Sequence, residues 1–319
     1  MAPQDESIPV PQWALRQDLV KDKAHAAFMA GAALNSLDRI VRSQSVWAGA
    51  WRQRLAIKCG VAACRLAGRS EDELALRDVW ALRPNALKGG ETGAIGTLGP
   101  GGSLYAAWRC LAAGEAAADA VALEHIADLL GLAHNGQLNA LPGQLDDIAS
   151  AGLGAPFAAA AAAARTVALA PDAEPLAWWL ADFVLAQTMS WPRPIPLFMG
   201  QAFSTAFRTD AGRRTRLKPG DSGFELALCL ALTDGATQAC RLAAEIGRRA
   251  TRLKEVTPQL RAKGACDAIR QLLDDDAVPG TLATSRLSRF ASRRLFQRLE
   301  DLGAVQELSG RTTFKLFGL

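Results

Sequence analysis

Arg289, Arg293 and Gln297 recur at four-residue steps near the end of this chain, with Arg294 and Arg298 one place further along and Arg286 just upstream. A guanidinium is a planar fork of donors that fits a phosphate or the O6/N7 edge of guanine, and a carboxamide fits the N6/N7 edge of adenine. Four-residue spacing sets such groups along one side of a helix, the geometry needed to enter a major groove. Arg311 and Lys315 follow in a segment of different pattern, where phosphate or minor-groove contact would be made. The formal charge of the chain is +4, and the residues from Thr281 onward carry all of it. Seven basic side chains there face only Glu300, Asp301 and Glu307, an electrostatic footprint suited to a polyanion. A solvated, salt-bridged helix is the plain alternative for the same charges.

Other groups capable of chemistry are scattered. The histidines His25, His125 and His134 keep no metal-ligand spacing with the cysteines Cys59, Cys64, Cys110, Cys229, Cys240 and Cys266, which form no C-x-x-C pair. No Gly-x-Ser-x-Gly elbow accompanies them, so Ser/His/Asp hydrolysis has no foothold. The adjacent Glu124 and His125 read as chance neighbours in a helix, and His134-Asn135-Gly136 as a turn. Asp146-Asp147 reads as a surface pair and Asp274-Asp275-Asp276 as a solvated loop at a helix end. The expectation is therefore no enzyme, no cofactor and no metal.

The elements that must carry the arginines are helical. Half of the residues are apolar and Ala dominates many segments, a composition that favours packed helices. Residues 1–11 hold three prolines and read as a flexible lead-in. The pattern then predicts helices over Trp13–Ile40, with Leu15, Leu19, Phe28, Leu34 and Leu37 inward, and Val46–Leu66, with Trp47, Trp51, Leu55 and Cys59 along one face. Ser70 and Glu73 are spaced as a capping box for a third helix through Trp80. Lys88–Gly102, with seven glycines, reads as a loop; it lacks the strand and the Gly-Lys-Ser/Thr ending of a phosphate-binding loop. Helices resume at Ser103–Gly114, Ala117–Leu132, Gln144–Ala151, Ala155–Leu169, Glu174–Met189 and Phe224–Lys254, and the basic run Arg213–Gly220 reads as an exposed linker. No apolar stretch is long enough to span a bilayer, and the acidic, proline-containing start is no signal peptide, so the expectation is a cytoplasmic protein that touches no membrane.

From Leu260 the pattern changes. It predicts a helix over Leu260–Leu273, a short one near Pro279–Ser285 and a third over Arg289–Leu302, capped by Ser288 and ended by Gly303. Ala291, Leu295, Leu299 and Leu302 would form its inner side. Two strand-like runs, Val305–Leu308 and Thr312–Phe317, flank the turn Ser309-Gly310-Arg311. Three helices and a β-hairpin in this order predict a winged helix-turn-helix over residues 256–319, attached to an all-α multi-helix bundle body over 12–255.

The segments Arg293–Phe296, Leu302–Val305 and Glu307–Arg311, with Leu299, Phe314, Leu316, Gly318 and Leu319, resemble the end of a bacterial family known as domain of unknown function 1403. The likeness extends to Cys64–Arg69, Leu76–Asp78 and Arg261–Gly264. It implies a bacterial protein, often of plasmids or other mobile elements, and supplies no catalytic residues.

Together these readings predict a DNA-binding protein, and possible regulator, whose partner is double-stranded DNA. Arg289, Arg293 and Gln297 would read bases or phosphates, and Arg286, Arg294, Arg298, Arg311 and Lys315 would hold the backbone. The competing expectations are a docking or dimerisation module, with a homo-oligomer as its product, and an enzyme with an unfamiliar site in the helical body.

Overall fold

Short polar side chains open several helices by accepting a backbone N–H that the first turn leaves without a partner. Asp22 accepts from His25 at 2.8 Å and starts α1 (Lys23–Ser43). Asp72 accepts from Ala75 at 2.8 Å and starts α3 (Glu73–Leu82). Asp119 does the same for α5 (Ala120–Leu129) and Ser288 for α12 (Arg289–Asp301). The computed structural model describes residues 9–83, 98–114, 119–133, 136–208, 216–260 and 262–319. Its other helices are α2 (Ala48–Leu66), α4 (Gly99–Ala113), α6 (Leu141–Ser150), α7 (Ala155–Leu169), α8 (Glu174–Thr188), α9 (Phe198–Gln201), α10 (Phe224–Val256) and α11 (Ala265–Asp274).

The body is all-α. Its helices pair α1 with α10, α2 with α4 and α7 with α8, and small residues set how closely they approach. Ala158, Ala159, Ala160, Ala162 and Ala163 of α7 are buried, and α8 is buried from Leu176 through Ala186. The indole of Trp51 donates to the Ala239 carbonyl at 2.9 Å and that of Trp179 to Ala107 at 3.0 Å, so these large rings bury no unmatched donor. Asp182, enclosed in α8, accepts from the Leu197 and Phe198 amides at the start of α9. Burial drives its carboxyl well above the usual range, and those two amides only partly oppose this.

Several details differ from the sequence pattern. Residues 12–19 form two 3-10 turns, and the first helix starts at Lys23. Leu19 and Phe28 are exposed rather than core; Phe28 stacks on Trp13 with centroids 5.2 Å apart. The cap of α3 is Asp72, because Glu73 turns to Arg77 at 2.8 Å instead of reaching back to Ser70. Helix α4 takes in Gly99, Pro100, Gly101 and Gly102 from the end of the expected loop. Pro100 suits a first turn, and a β-carbon on Gly102 would stand 2.6 Å from Val79, so bare backbone is what lets α4 lie on α3. The rest of that loop, residues 88–97, and His134-Asn135 lie outside the described residues. Of the basic linker, residues 213–215 also lie outside them. Arg216 is no solvated linker residue: it pairs with Glu174 and packs over Phe203.

At the C-terminal end, α11 leads into β1 (Val278–Pro279), and α12 is followed by β2 (Gln306–Glu307) and β3 (Leu316–Gly318). The three strands form one antiparallel sheet in the order β1-β3-β2, with Val278 opposite Phe317 and Gln306 opposite Gly318. The expected short helix near Pro279–Ser285 is absent. Pro279 pairs with Leu316, Gly280 donates to Lys315, and Thr284 and Leu287 close a turn on each other, which commits the backbone groups a helix would use. A β-carbon on Gly280 would also meet the Phe317 ring at 2.8 Å.

Candidate nucleic-acid interface

Helix α12 positions the arginines by burying its opposite side. Ser292, Leu295, Phe296 and Leu299 are buried, and Phe296 stacks on Phe317 of β3 with centroids 5.0 Å apart. This inner side is rotated from the expected stripe: Ala291 and Leu302 sit at one margin, half-buried, and Ser292 and Phe296 extend it on the other. At about 100° per residue, Gln297 and Arg294 then point away from the core, Arg293 lies beside them, and Arg289 flanks the buried side next to Phe296. All four are exposed, as are Arg298 and Arg286. Among the described residues, Arg286, Arg289, Arg293, Arg294 and Arg298 have no ion pair. The result is a ridge of five solvated guanidinium groups, running from the loop before α12 across the helix.

The other candidates are placed differently. Gln297 donates to Glu300 and Asp301, both at 3.2 Å, so its amide is held along its own helix and must exchange those partners to meet a base. Arg311 does not stand free at a loop tip. It pairs with Asp78 of α3 at 2.5 Å, which draws the β2–β3 connection towards the helical body. Lys315 is half-buried, and its carbonyl accepts from Gly280. The connection itself is longer than a tight turn and is shaped by Glu307. That carboxylate accepts from the backbone of Ser309 and, at 2.9 Å, of Gly310, as well as from the Ser309 hydroxyl. Burial raises the Glu307 carboxyl, but those hydrogen bonds and Lys315 outweigh it and leave it below the usual range.

The aspartate triplet carries the largest difference from expectation. Only Asp274 is exposed. Asp275 forms a two-pronged pair with Arg109 of α4, at 2.8 and 3.1 Å. Asp276 is enclosed between Arg54 of α2 and Arg77 of α3, the latter at 2.7 Å, while Arg54 also reaches the carbonyls of Asp276 and Leu319. Burial alone would push the Asp276 carboxyl up; the two guanidinium groups prevail and hold it below the usual range. This is no solvated loop. It fastens the sheet that supports α12 to three helices of the body, α2, α3 and α4.

The sequence model of a family described as "Protein of unknown function (DUF1403)" matches residues 2–319. The chain belongs to the DUF1403 family. No curated protein matches it. In this DUF1403 protein no helix among the described residues is long and apolar enough to cross a membrane. Beside α12, a cavity of about 270 Å³ is lined by Glu245, Arg248, Arg249 and Arg252 of α10 and by Gly303. Arg248 is exposed without an ion pair among the described residues, Arg249 pairs with Glu245, and Arg252 pairs with Glu255 at 3.2 Å and donates to the Leu302 carbonyl at 3.0 Å. On α10, therefore, Arg248 alone of these three arginines has no carboxylate partner among the described residues.

Proposed function

We propose that this DUF1403 protein binds DNA through the ridge on α12, with the surrounding segment acting as a variant of the winged helix-turn-helix. The observation that carries this reading is the set of five exposed arginines without carboxylate partners among the described residues. Unpaired guanidinium groups on one surface attract phosphates and gain by releasing the counterions of the polymer. The antiparallel sheet in the order β1-β3-β2, with one strand before α12 and two after it, supports the winged arrangement, although a turn stands where its second helix would be. Arg286, Arg289, Arg293, Arg294 and Arg298 are the contacts proposed. Arg311 and Lys315 serve the fold first, and Gln297 is available after exchanging its carboxylate partners. The working compartment is the cytoplasm, which suits both the partner and the buried thiols Cys59, Cys64, Cys229 and Cys240. A role as regulator accords with a DNA-contacting module joined to a large helical body, and the proposal includes no catalytic step.

The test is the salt dependence of binding to duplex DNA. Five phosphate contacts give a fall of up to about 4.5 in log K per unit of log salt concentration. Arg289→Ala with Arg293→Ala lowers that slope by about 1.8 and removes retention on duplex DNA, while circular dichroism stays unchanged because both residues are exposed. Absence of a mobility shift at low salt refutes the proposal. A salt-insensitive self-association or protein complex through α12 would then favour the docking reading.

A further inference from the structure

One residue on the ridge is neither basic nor explained by packing. Phe290, in the first turn of α12, is 75% exposed. Its ring belongs to none of the aromatic pairs or cation–ring contacts among the described residues, in contrast to Phe296 beneath it, which stacks on Phe317. On the helix its direction falls between those of Arg293 and Arg294, three and four residues on, and in line with Gln297. A largely bare ring therefore stands at the middle of the charged surface, where its exposure to water costs free energy.

We infer that Phe290 is a stacking platform for an unpaired nucleobase, so that the preferred partner of the ridge is DNA with bases out of the stack, such as a gapped duplex. The inference rests on the DNA-binding reading above and narrows it. In a paired duplex both π-faces of each base are covered by neighbours, and the groove offers a ring only base edges and phosphates. An unpaired base presents a free face, and aromatic stacking on it is sequence-tolerant. Arg293 and Arg294 on either side would hold the flanking phosphates, and Gln297 would lie within reach of a base edge.

The experiment compares the full chain with its Phe290→Ala and Phe290→Trp variants. The probes are a fully paired duplex and the same duplex carrying a short single-stranded gap with 2-aminopurine. The expected result is tighter binding to the gapped form and quenching of the 2-aminopurine. Phe290→Ala should lose about 5- to 150-fold on the gapped probe and little on the paired one, and Phe290→Trp should keep both properties. Equal affinities for the two probes, or an equal effect of Phe290→Ala on both, overturns the inference while leaving the arginine ridge standing. Failure to bind either probe overturns both. If Phe290→Ala spares gapped DNA but abolishes binding to vesicles containing phosphatidylserine, the ring serves a lipid surface and the inference is likewise overturned.

Discussion

Replacing Asp276 by Asn keeps the shape of the side chain and removes one buried negative charge. The carboxylate is 1% exposed and lies between two guanidinium groups that are themselves 8% and 7% exposed. Without it, Arg54 and Arg77 remain enclosed with Glu73 as the nearby side-chain counter-charge, and Glu73 is 37% exposed, reached by Arg77 but not Arg54, and shared with Lys58. Breaking a buried pair on one side costs about 3–5 kcal/mol, because the surviving charge stays desolvated. At about 2.1 cal/mol/K per residue the unfolding entropy of 319 residues makes this a fall in Tm of about 4–8 °C. Differential scanning calorimetry should show that fall for Asp276→Asn, and under about 0.5 kcal/mol for Asp274→Asn at the exposed end of the same triplet. The pH dependence has a definite sign. The folded carboxyl lies below its unfolded value, so its stabilisation is fully present above the unfolded value and is lost as pH falls through the folded one. The gap between the wild type and Asp276→Asn should therefore be constant near neutrality and close in strong acid. Equal Tm values for the two single variants would refute the claim that Asp276 ties the sheet to the body.

Two further outcomes follow from other parts of the molecule. Glu300 and Asp301 are the carboxylates nearest the ridge along α12, so Glu300→Gln with Asp301→Asn should tighten DNA binding by about two- to thirtyfold at low salt, an effect that fades as salt rises. Fluorescence anisotropy with a labelled duplex measures it, and weaker or unchanged binding counts against the ridge. Burial pushes the Cys64 thiol up to about 11 and those of Cys229 and Cys240 up to about 12, and it raises that of Cys59 well above its usual range, whereas Cys266 is exposed. Ellman's reagent at mildly alkaline pH should label Cys266 first and leave those four until a denaturant is added; rapid labelling of any of the four would contradict the packing described.

The sequence was most informative where local chemistry decides the outcome. Ser288 and Gly303 bracket α12 because a cap and a left-handed stop are properties of a few adjacent residues, and the period of its charges places them outward wherever the helix is packed. Alanine-rich α7 and α8 were legible for the same reason. What escaped depends on partners far along the chain. Nothing near Asp276 announces Arg54, 222 positions away, so three adjacent aspartates read as a hydrated turn. Arg311 likewise read as free because Asp78 belongs to another helix. The strand β1 escaped because Val278-Pro279 is two residues long, too short for any period, and it is specified by the hydrogen bonds that β3 provides. Phe290 was passed over because a search for charge does not notice an apolar residue set among arginines.

The Asp276 clasp also bears on how a complex would be oriented. Arg54 and Arg77 come from different helices and converge on one carboxylate, and Arg109 grips its neighbour from a third. Three such attachments from separate directions leave the C-terminal sheet, and α12 packed on it, little freedom to swivel against the bundle. Whatever the ridge settles on, the body would then arrive at a fixed bearing, and two molecules on one strand of nucleic acid would keep a spacing set by the shape of the protein.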